Sequence, residues 1–81
     1  MSSEKQTAAE TYANRAQDIA AMLGWLADEL EVHAERSKAE PENWGFAGEL
    51  GHARQKVMEI LVFLSGFDEE QIEESLAELR M

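Results

Sequence analysis

The chain has 81 residues, 44 % of them hydrophobic and 30 % charged, with no cysteine and a formal net charge of −10. That length and balance fit one small folded domain over residues 1–81, and the missing cysteines exclude disulfides, thiolate metal sites and a thiol nucleophile. The excess of 17 acids over 7 bases repels nucleic acid, whose binding relies on Lys and Arg at the phosphates, and suits a protein partner with a basic surface.

The N-terminal stretch MSSEKQTAAE lacks the apolar segment of a signal peptide. Thr7 with Glu10 three residues on forms a capping-box pattern, and SSEK offers an earlier start, so a first helix is predicted over about residues 4–38. Tyr12, Ala16, Ile19, Leu23, Leu26, Leu30 and His33 follow at alternating spacings of four and three, a sustained heptad seam. Ala13, Ala20, Ala27 and Ala34 flank it at every seventh position, where small side chains admit a close neighbour. A second apolar ridge, Met22, Trp25 and Val32, is interrupted by Glu29. It exceeds what one neighbouring helix needs and is expected to be a partner-binding surface. His33 is read as a seam histidine near a helix C-terminus, favoured there by the helix dipole.

Pro41 ends the first helix and is expected in the first turn of the second, predicted over about 41–65. Gly45, Gly48 and Gly51 then recur every third residue, each at a cost of roughly 1 kcal/mol to a helix interior. They thin the shell around Trp44 and Phe46, which are expected to serve as further apolar anchors. The space they clear is filled by the first helix or by a second molecule. Glu49 and His52 have the Glu-x-x-His spacing of carboxylate-bridged di-metal bundles, but they flank the seam set by Phe46, Leu50, Ala53, Val57, Ile60 and Leu64. They read as a solvated face, and no metal or cofactor is expected. The run VMEILVFL is apolar almost all round and far shorter than the ~20 residues that span a bilayer. A protein that does not enter membranes and resides in the cytoplasm is expected.

Gly66 marks a helix stop, and Asp68 with Gln71 repeats the capping-box pattern, with Phe67 and Ile72 placed as a hydrophobic staple. A third helix is predicted over about 68–80, with one apolar stripe of Ile72, Leu76 and Leu79. No strand signal competes. The fold expected is all-α: an antiparallel hairpin of two long helices plus a short C-terminal helix, with pairing of two hairpins into a dimeric bundle through VMEILVFL and the glycine stripe as a further step.

Acidic side chains concentrate in two clusters: Asp28, Glu29, Glu31 and Glu35 on the first helix, and Asp68, Glu69, Glu70, Glu73, Glu74 and Glu78 on the third. As a binding surface they would compete with nucleic acid for a basic groove; otherwise they serve solubility and the helix dipoles. No Ser/His/Asp set, phosphate-cradling loop or nucleotide motif is present. The expectation is a non-enzymatic inhibitor or adaptor that engages a basic, nucleic-acid-binding type of protein, with a self-associating homodimeric bundle as the alternative. In size, charge and lack of catalytic residues the chain is similar to the small acidic proteins of phages and mobile elements, among them anti-CRISPR inhibitors; the likeness is one of character and carries over no site residues.

Overall fold

The computed structural model describes residues 7–81, and within them the protein consists of three α-helices and no strand: α1 (Ala8–Ala39), α2 (Trp44–Ser65) and α3 (Glu69–Leu79). The predicted start of the first helix at residues 4–6 lies outside the described residues. The chain divides into two units, one ending at Glu40 and the other running Pro41–Met81.

The first unit is α1. Its start is set locally, because the Thr7 hydroxyl accepts the Glu10 N–H at 3.0 Å while the Glu10 carboxylate accepts the Thr7 N–H at 2.9 Å. Such a cap contributes about 1 kcal/mol. At the other end Arg36 and Lys38 lie in the last turn, where cations offset the helix dipole. Lys38 also pairs with Glu35 at 3.3 Å, an exposed contact worth little. The helix has no buried residue. Its seam side chains Tyr12, Ile19, Leu23, Leu26 and Leu30 are between 38 and 76 % exposed.

The second unit holds α2 and α3. The helix α2 begins at Trp44 instead of Pro41, because Asn43 caps it: its side-chain oxygen accepts the Gly45 N–H at 2.9 Å. Residues 40–43 therefore form the connection, with Pro41 in a turn before the helix. Gly66 ends α2 in the left-handed conformation, φ 81°, with its N–H donating to the Val62 carbonyl at 3.1 Å. Asp68 and Gln71 then form a reciprocal capping box that starts α3.

Packing between α2 and α3 uses a side of α2 distinct from its heptad seam. Met58 is the buried hydrophobic residue of this unit, at 3 % exposure. Arg54, Met58 and Val62, four residues apart, lie one above the other on one face. Half-buried Ile72, Glu73 and Leu76 stand on α3. The seam residues Leu50, Val57, Ile60 and Leu64 lie about a third of a turn away and stay exposed. The all-round apolar half of α2 is thus covered along one strip only.

Two backbone tests follow. Replacing Gly66 by Ala forces a Cβ into φ 81° and is expected to destabilise the α2–α3 unit by about 1–2 kcal/mol. A Cβ at Gly48 meets no atom within 4 Å, so Gly48→Ala is expected to strengthen α2 by up to about 1 kcal/mol. Thermal melts followed by circular dichroism read both.

Candidate protein-interaction surface

On α1 the 3.6-residue period sets three zones. The seam runs from Tyr12 to His33. Roughly a third of a turn round from it stand Met22, Trp25 and Val32, with Glu29 among them. All three apolar side chains of this ridge are exposed, Trp25 at 65 %. Asp28, Glu31 and Glu35 occupy the side away from the seam and are exposed too. One helix therefore displays a broad apolar arc bordered by carboxylates. Each large aliphatic side chain left in water forgoes about 1.5–3 kcal/mol that burial would supply.

On α2, Trp44 is the first helical residue and is 84 % exposed, whereas Phe46 is half-buried. The glycine stripe beside them has different reasons at different positions. A Cβ on Gly45 would come within 2.9 Å of the Asn43 side-chain oxygen that caps the helix, so that glycine preserves the cap. Gly48 and Gly51 face open space.

The six acids of the third helix separate into two groups. Asp68 is the N-cap, and its side chain accepts the Gln71 N–H at 2.9 Å. Glu73 faces α2, where Arg54 donates two parallel hydrogen bonds to its carboxylate at 2.9 and 2.6 Å. This fork-to-fork geometry fixes orientation as well as distance. Glu69, Glu70, Glu74 and Glu78 are exposed and remain as the outward-facing charge. Glu69 and Glu70 also lie in the first turn, where the dipole favours them.

Electrostatics at this contact are mutual. The hydrogen bonds from Arg54, and then its charge, hold the Glu73 carboxyl below its ordinary range, with a further contribution from Arg80 and partial desolvation opposing. The Arg54 guanidinium is pushed up by the same hydrogen bonds and by the charges of Glu73 and Glu69. Glu73 is one of the acids expected on a partner surface, and its pairing with Arg54 is not marked by any local sequence pattern. The available signal was the position of Arg54 one turn before Met58, a cation on the edge of an apolar run.

A second feature absent from the sequence reading is a shallow groove of 390 Å³ on α3, lined by Phe67, Gln71, Ile72, Glu74, Ser75 and Leu76. Phe67 and Ile72, spaced as a hydrophobic staple, both line it. Glu49 and His52 are both exposed on α2. Among the described residues no group of three or more His, Asp or Glu side chains is placed to hold a metal ion, and no helix is long and apolar enough to cross a membrane.

The Arg54–Glu73 contact predicts an acid response. A carboxyl whose folded pKa is depressed adds stability above its unfolded pKa, and that stability is lost as pH falls through the folded value. Amide exchange in α3 is therefore expected to accelerate, relative to the middle of α2, as the pH is lowered through the carboxylate range. Glu73→Gln is expected to raise α3 exchange at neutral pH and to flatten that dependence; hydrogen-exchange NMR reads both. No family model, curated protein or solved structure matches the chain, so the functional reading rests on this geometry and its chemistry.

Proposed function

We propose that the protein is a non-enzymatic protein-binding module, an inhibitor or adaptor whose exposed helix faces are completed by another polypeptide with a basic surface. The observation that carries this is the contrast between Met58, the buried hydrophobic residue, and the array of exposed large apolar side chains from Tyr12 to Leu79. So little burial cannot offset the conformational entropy of ordering the chain, on the order of 1–2 kcal/mol per residue for the backbone alone. The working form is therefore an assembly.

The charge of −10 argues for the kind of partner. Asp28, Glu31 and Glu35 on α1, and Glu69, Glu70, Glu74 and Glu78 on α3, steer a basic protein into encounter. Trp25 with Met22 and Val32, and Trp44 with Phe46, then supply the desolvated anchors that slow release. Glu29 sits between these two roles, a carboxylate set within the apolar ridge.

A second reading, self-association into a homodimer, is favoured by one specific feature. The α1 seam sustains the heptad pattern over three repeats and is exposed from Tyr12 to Leu30. Such a stripe is the usual requirement for pairing with another long helix. The two readings are compatible, since a dimer still displays both acidic clusters.

Affinity capture with the tagged full chain tests the first reading. A basic protein is expected to be retained at low salt and released as ionic strength rises. Trp25→Ala is expected to weaken retention by roughly thirtyfold, the loss of an interface anchor of about 2 kcal/mol. Capture that ignores both salt and the Trp25 substitution overturns it. Sedimentation equilibrium tests the second: a dimer is expected, and a monomer at high concentration removes it.

A further inference from the structure

We propose that two copies of the chain pair antiparallel along α1 in one register, with Ile19 packed on the partner's Leu23 and Arg15 paired with the partner's Glu29. This rests on the self-association reading and specifies its geometry. The two flanks of the α1 seam differ in character. One flank carries Ala13, Ala20, Ala27 and Ala34. The other, at the same seven-residue interval, carries Arg15, Met22, Glu29 and Arg36. In a two-stranded antiparallel pair like flanks meet, alanine on alanine and charged on charged; in a parallel pair unlike flanks meet.

Antiparallel pairing leaves two central registers, one heptad apart. In the first, the two-fold axis passes beside residue 21. Ala20 then faces the partner's Ala20, and Ala13 faces the partner's Ala27, so the backbones approach closely along that flank. Across the other flank Met22 meets the partner's Met22, and Arg15 meets the partner's Glu29 at both ends. In the seam Ala16 lies opposite the partner's Leu26, small against large. In the second register Arg15 faces the partner's Arg36, and Glu29 faces the partner's Met22. That places like charges together and a carboxylate on an apolar neighbour, both unfavourable. Parallel pairing sets Arg15 and Glu29 against alanines, with no ion pair at all. It also brings the two Asp28–Glu35 clusters side by side. The first antiparallel register separates those clusters by roughly 30 Å at 1.5 Å per residue, well beyond the ~8 Å screening length at physiological salt.

This register gives Glu29 a purpose. It interrupts the Met22–Trp25–Val32 ridge because it is the acid that the partner's Arg15 requires. Trp25 and Val32 lie farther round the helix than Glu29 and stay outside the pair, so these two are left for a third chain.

The absence of cysteine makes the test direct. Ala20→Cys, beside the axis, is expected to form a disulfide-linked dimer of the full chain at least about tenfold faster than Ala34→Cys, which faces no counterpart in this register. Arg15→Glu is expected to raise the dimer dissociation constant roughly tenfold by turning two ion pairs into two repulsions, and Arg15→Glu with Glu29→Arg is expected to restore it. A sedimentation-equilibrium monomer overturns the self-association reading and this register together. A dimer in which Ala34→Cys crosslinks as fast as Ala20→Cys overturns the register alone. A dimer indifferent to Arg15→Glu overturns the ion pairing.

Discussion

A long amphipathic helix in water has an apolar stripe that must be covered, and this constraint governs the protein. The helix α1 spans 32 residues and starts with a reciprocal capping box. Caps, dipole charges and propensity each supply about 1 kcal/mol or less, and a helix stripe gains most of its stability from packing. The α1 seam places isoleucine, leucine and tyrosine in line without burying any of them.

The second unit shows how a small amount of covering is organised when it does occur. Met58 is the buried apolar residue one turn from Arg54 on α2, and the Arg54–Glu73 fork fixes where along α2 the short helix sits. Hydrophobic contact alone is indifferent to sliding; a bidentate ion pair is not. Specificity of position is the main role of this pair, because at an exposed site its net contribution to stability is small. The same pairing removes Glu73 from the outward charge, so the acidic surface of α3 is narrower than its composition suggests.

Elements encoded by neighbouring residues were legible in the sequence, and those encoded by distant ones were not. The reciprocal boxes of Thr7 with Glu10 and Asp68 with Gln71, and the Gly66 stop, are each written within four residues and occur as expected. The start of α2 was misplaced because Pro41 is a permissive first-turn residue, whereas the Asn43 side chain forms an actual hydrogen bond to the Gly45 N–H. The face of α2 that receives α3 was hidden for a different reason. VMEILVFL is apolar almost all round, so periodicity there marks no preferred side. Arg54 identifies the side only when Glu73, nineteen residues later, is seen opposite it.

The reciprocal caps carry a consequence for kinetics. Because each helix start is specified by residues two or three apart, and the end of α2 by Gly66, nearly all order within one chain forms from sequence neighbours. Local order of this kind develops in microseconds, since no long loop must close. A step that joins two chains is instead second order and slows with dilution. For an assembly built from such helices, the cellular abundance of the polypeptide, more than its topology, sets how quickly a newly made chain becomes competent.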